Sequence, residues 1–200
     1  MTEINISNVT AIGYCAFLDC SNLQSVELST TQNIDIQASA FTGTPALTKD
    51  SDYDCVFYIG KHLIQATKDL SREYTIRSGT LSIGRSAFTD CTNLNKITIP
   101  FGLFVIPPYA FTGCTGLTSV HMNLSYEDLV IKAQAFRGCS SLTTATWSGD
   151  ASNNGFNIIV EPEGNTYLSA LEWTRIGDDI FAYTLDTNNK TAEISLKKYS

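Results

Sequence analysis

The chain has 200 residues, 43% of them hydrophobic and only 16% charged, and thirteen Lys and Arg against twenty Asp and Glu give a net charge of -7. An acidic balance offers no basic patch to a phosphate backbone, which excludes nucleic acid as an expected partner, and the apolar fraction is too high for a disordered chain. The longest apolar run, around Phe101 to Ile106, falls far short of a bilayer span, so no membrane insertion by this segment is expected.

In chain order, Glu3 to Ile6 alternates like the last strand of a repeating unit, which predicts a fragment of a longer protein with its secretion signal upstream. A full unit follows as Ile12, Gly13, Ala16, Phe17, Cys20 and Leu23. The spacing returns as Ile36, Ala40, Phe41, Thr44 and Leu47, with Thr in the Cys position. After a gap come Ile83, Ala87, Phe88, Cys91 and Leu94, then Ile106, Ala110, Phe111, Cys114 and Leu117, then Ile131, Ala135, Phe136, Cys139 and Leu142. The Phe-to-Phe steps are 24, 47, 23 and 25 residues, so the long step hides one irregular unit at about Asp50 to Ile76.

After each motif Leu the chain alternates, as in Leu23, Val26, Leu28 and in Leu94, Ile97, Ile99, which is the period of a half-buried strand. A second short strand is expected before each Ile, as at Gly79 to Ile83 and Gly102 to Ile106. The Ala-Phe-x-x-Cys link is too short for a full helix and predicts a tight turn or a single helical turn. One such unit cannot bury its apolar side alone. The units are therefore expected to stack into a β-rich solenoid of about six units of 23–25 residues, filling residues 1–147.

The spacing of Ile83, Gly84, Ala87, Phe88, Cys91, Leu94, Ile97, Ile99 and Pro100 resembles the BspA-like leucine-rich repeats of bacterial and protist surface proteins. The irregular unit, with Val56 to Ile64 and Glu73 to Thr80, resembles the spacer repeat that such arrays carry. The resemblance implies a leucine-rich repeat array, adhesion as its role, and a cell-surface or secreted location.

Past Trp147 the motif stops. Ser148 to Gly155 is rich in Gly, Asn and Ser, and alternating segments follow at Asn157 to Val160, Phe181 to Leu185 and Thr191 to Leu196. Asp186 to Lys190 is a turn signal that predicts a hairpin between the last two. Residues 148–200 read either as a C-terminal β cap or as the start of a following module. If binding resides there and the solenoid is only scaffold, Trp173, Asp178 and Asp179 are the residues to mutate.

Four of the six cysteines, Cys20, Cys91, Cys114 and Cys139, share one repeat position. Their periodicity predicts buried thiols bonded to the neighbouring turn, not disulfides, because Thr44 fills the same slot and cannot form a bridge. Cys15 and Cys55 lie off this ladder. The recurring Ala-Phe pair predicts a stacked phenylalanine spine. His62 has no acidic neighbour at motif spacing, and His121 between Val120 and Met122 is expected to face solvent. Asp50, Asp52 and Asp54 lack the Gly and the later Glu of a calcium loop and are expected to form a solvated turn. No nucleophile with its base, no carboxylate pair and no metal spacing emerges, so the chain is read as a non-enzyme without metal or cofactor.

What remains is surface. Residues between the apolar strand positions point outward, and neighbouring strands lie roughly 4.8 Å apart, so they are expected to form one continuous polar face. Its candidate ligand-binding residues are Gln24, Glu27, Asn95, Lys96, Thr98, Ser119, His121, Thr144 and Thr146. Such a face suits an extracellular matrix protein, a surface protein of a host or neighbouring cell, or a glycan, bound by a monomer. The alternative is a structural spacer that displays a separate functional domain.

Overall fold

The computed structural model describes residues 1–123, 128–148, 158–161 and 163–165 in full, and 157, 173–175, 181–182, 192–195 and 197–198 by their backbone. Its strands are β1 (Glu3–Asn5), β2 (Ala11–Ile12), β3 (Ser25–Glu27), β4 (Asp35–Ile36), β5 (Thr48–Lys49), β6 (Val56–Ile59), β7 (His62–Ala66), β8 (Arg72–Thr75), β9 (Ser82–Ile83) and β10 (Leu94–Ile99). They continue as β11 (Val105–Ile106), β12 (Ser119–Asn123), β13 (Leu129–Ile131), β14 (Thr144–Ser148), β15 (Asn157–Val160), β16 (Trp173–Arg175), β17 (Phe181–Ala182), β18 (Ala192–Ser195) and β19 (Lys197–Lys198). No described residue is helical. The chain is a strand-rich solenoid, as the repeat predicts.

From β9 onward each unit supplies a strand to each side of the stack. The strands that follow the motif Leu form a parallel sheet in the order β8, β10, β12, β14, β16. Alternation places Leu94, Ile97 and Ile99 of β10 in the core, with Val120 and Met122 of β12 and Ala145 and Trp147 of β14 beside them. The short strands before the motif Ile form the second ladder, in which β11, β13 and β15 run parallel.

The Ala-Phe-x-x-Cys link is a turn held by two left-handed residues per unit. One precedes the Ala (Cys15, Ser39, Ser86, Tyr109, Gln134) and the other lies two after the Phe (Asp19, Gly43, Asp90, Gly113, Gly138), with φ between 53° and 75°. Cys15, which the repeat left unexplained, thus occupies a backbone position rather than a thiol slot. Successive turns are tied by the Phe N–H, which donates to the next unit's Ala carbonyl at 2.7 Å from Phe17 to Ala40 and 2.8 Å from Phe88 to Ala110.

The repeated Phe and Cys behave as their period predicts. Phe88, Phe111 and Phe136 stack with ring centroids 4.8 and 4.9 Å apart. Cys114 Sγ donates to the Phe88 carbonyl at 3.0 Å and Cys139 Sγ to that of Phe111 at 3.2 Å, while Thr44 Oγ1 makes the equivalent bond to Phe17 at 2.6 Å. All six thiols are free, and burial pushes Cys91 and Cys139 up to about 12 and Cys114 higher still. Cys20, at the same repeat position, is only half-buried.

The spine is not continuous. Phe17 and Phe41 stack at 5.1 Å in a separate core cluster, and Phe88 meets Tyr74, not Phe41. The cause is the irregular unit, where β6 and β7 form an antiparallel hairpin around Gly60 and Lys61. Two-residue hairpin loops favour a left-handed residue, and Gly60 has φ 55°. This hairpin is a wall with two apolar faces: Val56, Tyr58 and Leu63 pack into the larger core, and Ile59 and Ile64 into the smaller one.

Two polar clusters fasten the wall. His62 is fully buried, with Nδ1 2.6 Å from Ser82 Oγ and Nε2 2.7 Å from the Ser29 carbonyl, and burial lowers its pKa. Asp50 departs from the solvated turn expected of it. Its buried carboxylate accepts from Arg77 Nε at 2.6 Å and Tyr74 Oη at 3.2 Å, and Tyr58 Oη lies 2.9 Å from Tyr74 Oη. Burial raises both phenols, and the Arg77 guanidinium lies 4.2 Å over the Tyr58 ring. Asp52 and Asp54 are exposed.

Both ladders run past Trp147, where the motif stops. β15 pairs parallel with β13, and β16 parallel with β14. Asn165 then stands in for a further turn: its Oδ1 accepts the Phe136 N–H at 2.8 Å, the bond that an Ala carbonyl makes elsewhere. The predicted C-terminal hairpin is redistributed, because β17 pairs antiparallel with β19 whereas β18 pairs antiparallel with β15. The turn at Asp186 to Lys190 lies outside the described residues, as do Asp178 and Asp179.

Candidate functional site

The strand ladder fixes which outward side chains meet. Parallel register, after an irregularity between Leu94 and Lys96, aligns Glu73, Lys96, Ser119 and Thr144 in one row across β8, β10, β12 and β14. Two residues further along, Thr75, Thr98, His121 and Thr146 form a second row. Seven of these eight side chains offer a hydroxyl, an amine or a carboxylate at a spacing set by the sheet. Only Lys96 and Glu73 carry formal opposite charges, and they pair at 3.2 Å, both substantially exposed.

His121 is not the solvated ring its sequence position suggests. It is half-buried, with Nδ1 2.9 Å from Thr146 Oγ1 and Nε2 3.1 Å from Asn123 Oδ1. Ser148 Oγ donates to the same Asn123 oxygen at 2.7 Å and lies 3.3 Å from His121 Nε2. These four side chains form a knot at one end of the rows. The ring is held in one orientation, whereas Thr144, Asn95 and Thr118 stay exposed. Thr118 Oγ1 donates to the Asn95 carbonyl at 3.0 Å, so part of the hydroxyl inventory serves the neighbouring strand and not an incoming ligand.

Of the candidate residues, Asn95, Lys96, Thr98, Ser119, His121, Thr144 and Thr146 share this one sheet. Gln24 and Glu27 do not. Glu27 lies on β3, which pairs only with β1 in a two-stranded sheet, and it accepts from Asn5 Nδ2 at 2.5 Å. Gln24 immediately precedes that strand. The single continuous face expected from the repeat is therefore two faces, because the β6–β7 hairpin stands where a regular unit would carry the ladder on.

Four residues of the larger face were missed by the repeat reading. Glu73 and Thr75 lie in the irregular unit, yet Glu73, Tyr74, Thr75, Ile76 alternates as Lys96, Ile97, Thr98, Ile99 does, and that signal was available. Asn123 and Ser148 extend the strands by one outward position beyond the motif. No group of three or more His, Cys, Asp or Glu side chains arranged to hold a metal occurs among the described residues. A family model described as BspA type Leucine rich repeat region matches the chain in six copies, over residues 1–114 and 57–188. No curated protein and no solved structure matches it.

Proposed function

Because the chain belongs to the BspA-type leucine-rich repeat family, we propose that it is a non-catalytic binding module of a microbial surface or secreted protein. Its contact surface is the outward face of β8, β10, β12 and β14, and its role is adhesion to a matrix protein, a neighbouring or host cell-surface protein, or a glycan. The observation that supports this most is the register that lines Lys96 with Ser119 and Thr144, and Thr98 with His121 and Thr146. Aligned donors and acceptors about 4.8 Å apart match the repeat of an extended polymer better than they match a compact small molecule. With few strong charges, such a face binds through many modest hydrogen bonds, each worth about 1 kcal/mol, so affinity grows with the length of ligand engaged.

Biolayer interferometry against fibronectin, fibrinogen, laminin, collagen and a glycan panel tests the reading. Saturable binding by this chain that is lost in the triple variant Lys96→Glu, Ser119→Lys, Thr144→Lys supports it. Binding that survives the triple variant moves the site off this face. Absence of binding across the panel favours the spacer role instead.

A further inference from the structure

The second ladder is broken between β4 and β7, where the hairpin wall stands, and again between β9 and β11, where the cause is a single residue. In this ladder the residue after the motif Ile donates its N–H to the preceding strand: Gln37 to Ile12, Gly84 to Leu63, Lys132 to Ile106 and, where Val160 takes the Ile position, Glu161 to Ile131. In the unit of β11 that residue is Pro107, which has no N–H to give. β9 and β11 accordingly fall in different sheets. A cavity of about 300 Å3 opens at this break, bounded by β4, β9, β11 and the start of the turn after β13.

The walls are apolar and stiff: Ile34, Ile83, Val105, Pro107 and Pro108. The charged lining consists of Asp35, Arg85 and Lys132, and with Glu161 on Lys132 the two cations are matched by two carboxylates, so what the cavity offers is the donors those pairs leave over. Arg85 is held by Asp35 through Nε at 2.8 Å and Nη2 at 2.6 Å, and its Nη1 meets no acceptor among the described residues. Lys132 Nζ spends one of its three donors on Glu161 at 2.8 Å. Two cationic side chains with donors left over thus line an apolar cavity at the small end of the size range of ligand pockets.

We propose that this cavity binds a small carboxylate with an apolar body. Its carboxylate accepts from Lys132 Nζ and Arg85 Nη1, while Ile83, Val105 and the two prolines cover its hydrocarbon part. The site is separate from the strand face, on the other ladder, and does not depend on the adhesive reading. Two sources supply this chemistry, a free organic acid and the C-terminal carboxylate of a peptide ending in an apolar residue.

The test is a titration of the full chain, followed by 1H–15N correlation spectra, with phenylacetate and with its neutral isostere phenylacetamide. A third arm uses a tetrapeptide ending in Phe, with its terminus free or amidated. The expected result is saturable shifts at Ile83, Val105 and Lys132 for at least one carboxylate, with the matching amide at least tenfold weaker. Lys132→Gln should weaken binding at least fivefold at unchanged thermal midpoint, since Glu161 keeps the Ala133 N–H at 2.8 Å. Binding of phenylacetate alone identifies the free acid, and binding of the free-terminus peptide identifies the chain end. No saturable shift below 10 mM by any carboxylate, equal binding by the amides, or unchanged affinity in Lys132→Gln overturns the proposal.

Discussion

Asp50 Oδ2 and Arg77 Nε meet at 2.6 Å across 27 residues of chain, the carboxylate 4% exposed and the guanidinium side chain 37% exposed. Removing one partner of a fully buried pair costs about 3–5 kcal/mol, and solvent screening at Arg77 lowers that figure. Asp50→Ala is expected to destabilise the fold by about 2 kcal/mol. Urea denaturation measures it. A loss within experimental scatter would mean that the pair contributes nothing net.

The thiol ladder gives a second expectation. Thr44 already makes the bond that Cys114 makes, so Cys114→Thr should be tolerated, whereas Cys114→Val, which cannot donate to the Phe88 carbonyl, should cost about 1 kcal/mol more. The same burial governs alkaline stability. Unfolded thiols ionise near 8.5, and Cys91 and Cys139 in the fold only near 12. Above pH 8.5 the unfolded chain binds fewer protons, so each buried thiol removes roughly 1.4 kcal/mol of stability per pH unit until its folded value is reached. Iodoacetamide at pH 8 should label Cys15 and Cys20 while sparing Cys91, Cys114 and Cys139, as peptide mass spectrometry would read. Rapid labelling of Cys114 in the folded protein would contradict its burial.

His62 sets the acid limb. Its folded pKa lies below the unfolded value near 6.5, because burial disfavours the imidazolium. The contribution of the neutral ring is fully present above pH 6.5 and is lost as pH falls from there through the folded value, since the unfolded chain then takes up the proton first. Stability of the protein should therefore fall as pH drops below 6.5, and His62→Gln should flatten that limb. Denaturation midpoints measured at half-unit pH intervals decide this, and identical acid limbs in both proteins would refute it.

The left-handed turn position two after each Phe predicts opposite effects of two mirror substitutions. Asp19 holds φ 53° with an ordinary side chain, and Asp19→Gly should stabilise by about 0.5–1 kcal/mol. Gly138 holds φ 75°, and an added Cβ would only touch the Gly113 backbone at ordinary contact distance, 3.6 Å from its N, so Gly138→Ala should cost about 1 kcal/mol, chiefly from backbone conformation. Thermal unfolding of the two variants gives the signs. A stabilising Gly138→Ala would mean that the turn relaxes in solution.

The regular units were legible in the sequence because their residues repeat a single environment. Ala110 and Phe111, Ala135 and Phe136 read as one turn since each copy checks the others, and Thr44 even revealed the bond its Cys counterparts make. The irregular unit had no second copy to check it. Its hairpin was signalled only by Gly60 and Lys61 between Ile59 and His62, and the apolar run on either side hides alternation because both faces of the wall are buried. Asp50 and His62 were misjudged or left unread for a related reason: their partners Arg77, Ser82 and Ser29 lie 20 to 33 residues away, at no motif spacing. On the strand face, register across β10, β12 and β14 followed from the period. The break before β8 did not, and it removed Gln24 and Glu27 from the larger surface.

The hairpin wall also bears on cooperativity. In a stacked array each unit is held by its neighbours, so a change in one is felt along the line. Among the described residues no phenylalanine stacks on another across Val56–Ala66, and the smaller stack leans on the larger one through Ile59, Ile64, the His62 bridge and the Arg85–Asp35 pair. If the first two units open, the wall's second face meets water while the Tyr74–Phe88–Phe111–Phe136 column stays whole. Opening of the first two units is therefore expected to leave the face that carries Lys96, Ser119 and Thr144 in place, because the core beneath that face is a separate cluster.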